Sequence, residues 1–302
     1  MIKFRITFIL FFVTNILFAQ NTKIFVFDKE TNLPIALASI YTQRGIGSYS
    51  NEDGSLYINI TKNDTLYVKH LSYNDIKISY DDFKNLTNNI IYLVPKEIEL
   101  QQVVVKPTKL KKISLGYYKE KTFSERAGPG GFSDFQLYVN HIKNQTGQVG
   151  VLDKLHFDLH VELTEKSNSR VRIRVFSVGK NGLPNEDILT KEIIKKVDRL
   201  SPNIHVDVSE FNILFPPEGV FIGLEFFCTF ETKLAKRENH TKDITNCPHI
   251  ATSNVSNFDE MGNSFYWSLY NRHFQWICCS DGSIYKGLKG HVFKFGADIL
   301  NN

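Results

Sequence analysis

Apolar and polar residues alternate along most of this chain with a period of two, the spacing of a strand with one buried face. Between residues 23 and 94 the alternation comes in short bursts: KIFVFD (23–28), ASIYT (38–42), SLYINI (55–60), TLYVKH (65–70), DIKISY (75–80) and NIIYLV (89–94). Between them stand turn-forming clusters: ETNLP (30–34), NEDG (51–54) and KND (62–64). Asp53-Gly54 is the pair a tight hairpin favours, because glycine accepts positive φ without strain. Short strands at this regular spacing predict a small β-sandwich.

After residue 131 the bursts lengthen. FSDFQLYVN (132–140), VGVLDKLHFDLHVEL (149–163) and RVRIRVFSV (170–178) read as strands, the last with Val171, Ile173 and Val175 on one face and Arg170, Arg172 and Arg174 on the other. KNGLPNED (180–187) is a loop, and ILTKEIIKKV (188–197) fits a strand better than a short helix. FNILFPPEGVFIGLEFF (211–227) sets a Pro-Pro-Glu-Gly turn before an apolar strand, and residues 265–269, 274–278 and 291–295 are further strand candidates. Residues 106–131 break the pattern: Lys109, Lys111, Lys112, Lys119 and Lys121 cluster there before Ala-Gly-Pro-Gly-Gly (127–131). That composition predicts a solvated linker, although residues 113–118 are apolar enough to pack on the second domain. The domain reading is therefore 1–19 leader, 20–105 first sandwich, 106–131 linker and 132–302 second sandwich.

The leader rests on Lys3 and Arg5 followed by the apolar run 6–18 and then Ala19-Gln20, the order of a secretory signal peptide with cleavage expected after Ala19. The run is shorter than the roughly 20 residues of a comfortable membrane span, no cysteine follows it for lipid attachment, and no later segment is long and apolar enough to span a bilayer. Export to the periplasm, the outer-membrane surface or the medium is the expectation. Composition agrees with a β-rich globular chain: 24 Phe and 13 Tyr against 2 Met, with 42% hydrophobic and 23% charged residues. The formal charge of +4 includes the two leader cations, and a residue that small argues against nucleic acid.

The run VFDKETNLPIALASIYTQRGIGSYSNEDGSLYINI, then DTLYVKHLSYNDIKI, IIYLVP and ELQQVVV, resembles the carboxypeptidase regulatory-like domain common in secreted proteins of the Bacteroidota. Asp28, Thr31, Pro34, Ala38, Asn51, Glu52, Gly54, Tyr73 and the valines at 103–105 occupy the family's characteristic places, with Ile35 for its usual Leu and Ser72 where Gly is common. The resemblance implies a transthyretin-like or Ig-like sandwich without catalytic residues. RVRIRVFSVGKNGLPNEDILT and VDVSEFNILFPPEGVFIGLEF are similar to a C-terminal region of unassigned function often appended to that domain, which implies a larger jelly-roll-like β-sandwich. The fold class expected is all-β.

Candidate chemistry is sparse. His156, Asp158 and His160 share one strand face and are metal-ligating types, yet same-face neighbours lie nearly 7 Å apart, too far for three from one strand to converge readily on one ion. A solvated polar face opposite Phe157, Leu159 and Val161 accounts for them as well. Cys228, Cys247, Cys278 and Cys279 allow three full disulfide pairings, or buried thiols; Cys247, His249, Cys278 and Cys279 lack the paired spacing of a zinc site. Arg170, Arg172 and Arg174 offer a ridge for a sulfate, a phosphate or an acidic partner, unless carboxylates of a neighbouring strand already face them. Asn51 to Gly54 is too short for a calcium loop. There is no Gly-x-Ser-x-Gly elbow, His-Glu-x-x-His or phosphate loop, and no cofactor is expected. The reading is a non-catalytic exported envelope protein contacting a protein or glycan. Its alternatives are a carbohydrate- or peptide-directed hydrolase on the C-terminal sandwich and a soluble accessory of a TonB-dependent uptake system.

Overall fold

The structure is a computed structural model that describes residues 22–96, 111–127, 136–160, 170–197, 203–227, 248–254, 264–268, 276–279 and 291–301. The expected leader, Cys228 and Cys247 lie outside the described residues. The chain divides into two compact units, Met1–Glu97 and Ile98–Asn302, both built almost wholly of strands.

In the first unit β1 (Thr22–Asp28), β4 (Ser55–Ile58) and β7 (Ile90–Leu93) form a sheet in the order β4-β1-β7, with β1 and β7 parallel. The second sheet runs β3-β2-β5-β6, from β2 (Ser39–Thr42), β3 (Gly47–Tyr49), β5 (Thr65–His70) and β6 (Tyr73–Ser79). Period two puts Ile24, Val26, Leu56, Ile58, Ile91 and Leu93 on the inner face of the first sheet, against Ala38, Ile40, Leu66 and Val68 of the second. One helical turn, α1 (Tyr80–Lys84), follows β6. The Ser79 side chain caps it by accepting from the Asp82 N–H, and Phe83 points into the core.

The second unit is a larger sandwich. One sheet contains β10 (Gln136–Ile142), β12 (Arg170–Val178), β13 (Pro184–Asp187), β14 (Ile194–Lys196), β17 (Val220–Phe227), β19 (Ser264–Ser268) and β20 (Ile277–Cys278), in the order β13-β12-β17-β10-β19-β20 with β14 also on β12. The other contains β8 (Lys111–Gly116), β9 (Thr122–Ala127), β11 (Gly150–His160), β15 (Asn203–Asp207), β16 (Leu214–Phe215), β18 (His249–Asn254), β21 (His291–Phe293) and β22 (Phe295–Asn301). Its path is β21-β18-β11-β22-β8, with β15 and β16 on β11 and β9 on β18. Val171, Ile173 and Val175 of β12 meet Leu155, Phe157, Phe295 and Ala297 in one core, all of them fully buried.

Strands β8 and β9 correct the linker reading of 106–131. Ile113 and Leu115 pair across from Ile299 and Ala297, so the lysine-rich stretch is the edge of a sheet and its apolar alternate positions are why. A bulge on β11 sets Leu152 against Ile299 and Lys154 against Asp298, leaving Asp153 as the extra residue. The insertion changes the parity of the strand, so that Leu152 and Leu155 both face the core while His156 faces away from it.

Candidate functional site

On the outer face of the β15-β11-β22-β8 layer, a polar cluster centres on Asp298. Strand register aligns it: Asp298 lies opposite Ser114 on one side and Lys154 on the other, and His156 lies opposite His205 and Gly296. Ser114 Oγ donates to Asp298 Oδ1 at 2.7 Å and the Tyr118 hydroxyl donates to the same oxygen at 3.1 Å. Lys112 Nζ stands 3.0 Å from Asp298 Oδ2 and 2.8 Å from Asp153 Oδ2, the carboxylate of the bulge. Burial alone would raise the Asp298 carboxyl, but the hydrogen bonds from Ser114 and Lys112 and the His156 ring outweigh it and hold its pKa far below the ordinary range.

His156 is buried, with Nε2 3.2 Å from Asp298 Oδ2 and Nδ1 2.8 Å from Nδ1 of the exposed His205. The Nε2 contact has the distance of an ion pair but an angle outside hydrogen-bond geometry, so the carboxylate attracts the ring N–H chiefly through charge. Tyr118 stacks on His156 with ring centroids 4.2 Å apart. Gly296 makes room for it, because a Cβ there would stand 2.2 Å from Tyr118 Cδ1. Desolvation lowers the His156 pKa despite Asp298, which keeps the ring neutral.

The protonation pattern follows from these partners. Neutral His156 with its N–H toward Asp298 has a bare Nδ1, so the Nδ1–H of His205 donates to it. The order is carboxylate, imidazole, imidazole, and no nucleophile belongs to it. Ser114 and Tyr118 both donate to Asp298, whose carboxyl is held far below the ordinary range and is therefore too weak a base to activate either oxygen.

The three residues singled out on β11 go separate ways. His156 joins Asp298 and His205. Asp158 pairs with Lys294 at 2.7 Å, and His160 lies opposite His249. The three candidate ligands thus point to different partners, and among the described residues no group of three or more His, Cys, Asp or Glu could hold an ion. His205 escaped the sequence reading because its partner is on another strand.

The arginine ridge is also corrected. Arg172 is only 2% exposed, and its guanidinium stands 2.5 Å from Glu192 and 3.1 Å from Glu225. Arg174 bonds Asp187 and reaches Glu225 at 2.6 Å. Burial works against the Arg174 charge, but the flanking Asp187 and Glu225 carboxylates hold the group protonated. Phe227 and Phe176 lie under the two guanidinium planes at 5.0 and 5.1 Å. Arg170, at the strand end, is the exposed member. The carboxylates facing the ridge come from β17, β13 and the segment before β14, which is the arrangement that needs no ligand. Cys278 and Cys279 are thiols; Cys279 is buried, which pushes its pKa up.

In the first unit the signature residues are joints. Asp28 Oδ1 accepts from the Glu30 and Thr31 N–H groups, and its Oδ2 accepts from the Tyr73 hydroxyl at 2.7 Å, tying the loop after β1 to β6. Gly54 has φ +74°, and a Cβ there would stand 2.5 Å from the Val26 carbonyl. Ala38 is fully buried.

The outer face of β4-β1-β7 differs from all of this. Period two turns Phe25, Phe27, Tyr57 and Tyr92 outward, with Tyr57 57% and Tyr92 46% exposed. Phe27 lies 6.4 Å from both Phe25 and Tyr92. The Lys23 ammonium caps one end, 4.8 Å from the Phe25 ring and 5.8 Å from Tyr57. Leu33 and Val94 are exposed as well.

No curated protein matches the chain. Among solved structures, the cysteine protease and lectin-like domains of Cwp84, a surface layer associated protein of Clostridium difficile, align at 11% identity and a TM-score of 0.37, covering 94% of this chain and 63% of that one. The chain thus spans less than two thirds of that structure, and so low a score carries no argument about fold or function. Residues 25–105 match the family model of the CarboxypepD_reg-like domain, the stretch whose signature residues form the joints of the first sandwich.

Proposed function

We propose that this protein is a non-catalytic contact module of the cell envelope, exported and engaged with a protein or glycan partner. One observation carries the reading: among the described residues of the second sandwich, the arginine and Asp298 networks spend their charged groups on one another. Arg172 and Arg174 are neutralised by Glu192, Glu225 and Asp187, and Asp298 is saturated by Ser114, Tyr118, Lys112 and His156. Such networks fix strand register and leave no acid, base or nucleophile poised over a substrate. A regulatory-like domain in the first unit fits the same role.

The contact surface we favour is the aromatic face of the three-stranded sheet. Exposed apolar groups gathered on one face mark interaction sites, and tyrosine supplies contact area with a polar tip. The test has three parts. Purified protein should turn over no member of a polysaccharide and peptide panel; sustained turnover that vanishes on substituting Asp298 or Glu225 would overturn the reading. A binding screen against envelope proteins and glycans should yield a partner that Tyr57→Ser/Tyr92→Ser loses. Export rests on the charge and apolar order of the first twenty residues, and sequencing the mature protein from envelope fractions should find cleavage after Ala19.

A further inference from the structure

The Nδ1 atoms of His156 and His205 belong to two neighbouring strands of one sheet and stand 2.8 Å apart. We propose that this pair is a two-nitrogen site for a divalent transition metal of tetragonal preference, Cu²⁺ or Ni²⁺, whose remaining positions are filled by water.

Geometry favours those ions. At a metal–nitrogen distance of about 2.05 Å, two nitrogens 2.8 Å apart subtend roughly 86° at an ion about 1.5 Å off their line. That is close to the right angle between neighbouring ligands in square-planar or octahedral coordination. A tetrahedral ion such as Zn²⁺ needs its two nitrogens roughly 3.3 Å apart, so the pair would have to open by about half an ångström to take it.

The surroundings point the same way. Imidazoles that bind metal usually direct the other ring N–H to a carboxylate, which fixes the tautomer and strengthens the donor. Asp298 stands 3.2 Å from His156 Nε2, acting through charge and not through an aligned hydrogen bond, and is itself held ionised by Ser114 and Lys112. Tyr118, stacked on the ring, holds its plane. His156 therefore presents a bare, oriented Nδ1. On the other side His205 is exposed, which gives an ion and its waters an approach from solvent.

Proton balance is simple. In the metal-free chain His205 carries its proton on Nδ1 and donates it to His156. When the ion binds, that proton leaves for water while another is taken up on His205 Nε2. Both rings stay neutral and no net proton is released. Two protein donors suffice for a hydrated ion, and the absence of a third among the described residues fits a reversible site rather than a structural one.

The test is calorimetric titration of tag-free, full-length protein with Ni²⁺ at pH 7.5, alongside electron paramagnetic resonance with Cu²⁺. The expected result is one Ni²⁺ per chain, a Cu²⁺ spectrum with splitting from two nitrogens, and weaker binding of Zn²⁺. His205→Ala removes an exposed side chain and its one hydrogen bond to His156, so it should lower the metal-free melting temperature by no more than about 5 °C while weakening Ni²⁺ at least tenfold. Asp298→Asn should weaken it roughly 10- to 100-fold. His156→Ala should match His205→Ala, and because His156 is buried the exposed variant decides if that protein misfolds. No Ni²⁺ binding by the unaltered protein, or equal binding by His205→Ala, overturns the proposal.

Discussion

The outer face of β4-β1-β7 in the first sandwich and the outer face of β12-β17 in the second invert what their sequences promise. The first is aromatic and stays open to solvent; the second is lined with arginine and glutamate and is buried. The aromatic side chains of the first face are partly exposed, whereas the charges of the second are already paired. A run of cations in a strand therefore says which face the residues share, not whether that face is available. Availability depends on the strand across, and Glu225 opposite Arg172 settles it here.

The largest expected effect tests the buried side of this contrast. Glu225→Ala takes one of two carboxylates from each of Arg172 and Arg174, which keep Glu192 and Asp187, so the loss should be about 2–3 kcal/mol, below the roughly 3–5 kcal/mol of a buried charge left with no partner; urea denaturation followed by tryptophan fluorescence should show it in the second unit. A loss under 1 kcal/mol would mean the network is dispensable. Next comes Gly54→Ala, which puts a Cβ 2.5 Å from the Val26 carbonyl at positive φ. Strain of this kind costs about 1–3 kcal/mol, read from the first unit's unfolding midpoint. Tyr73→Phe removes the hydrogen bond to Asp28 and should cost about 1 kcal/mol by the same measurement. On the open side, Tyr57→Ser/Tyr92→Ser should move stability by no more than about 0.5 kcal/mol per residue, because little packing is lost. A large loss would show that the aromatic face is structural.

Acid separates the two units further. His156 has a pKa below its ordinary 6.5, chiefly through burial, so the folded chain refuses a proton that the unfolded chain accepts. Its contribution is complete above pH 6.5 and shrinks as the pH falls below that value. His141 and His291, also depressed by burial, add to the same slope. Asp298 is depressed too, so its contribution holds above its ordinary 3.8 and is lost on further acidification. Stability of the second unit measured from pH 8 to 5 should decline, and His156→Gln should flatten part of the decline; an unchanged slope would remove His156 from the account.

Much of the architecture was legible because it is local. The first unit's strands fall within a few residues of the alternating bursts; Asp53-Gly54 makes a turn, but the flanking β3 and β4 belong to different sheets, so it closes no hairpin ladder. The short β3 and the turn of α1 were missed: three residues are too few to show a period, and Ser79 with Asp82 is a weak capping signal without the packing of Phe83. Strands β8 and β9 were hidden by lysines. The partners of β8 are Ile299 and Ala297 on β22 and that of β9 is β18, all far along the chain in the second unit. The same distance in sequence hid His205, because an imidazole is informative only beside its partner. Faces could be read from alternation; pairings across strands could not.

Strand β22 lies in the middle of its sheet, bonded to β11 on one side and β8 on the other. As the chain emerges, the β21-β18-β11-β22-β8 sheet cannot be completed before β22 is available, since without it β11 and β8 have no common neighbour. The first sandwich needs nothing beyond the described residues 22–96 for its two sheets. A chain that emerges N-terminus first therefore presents one unit able to complete its sheets and one whose long-range pairing waits for β22, a period in which binding by a holdase chaperone would matter most.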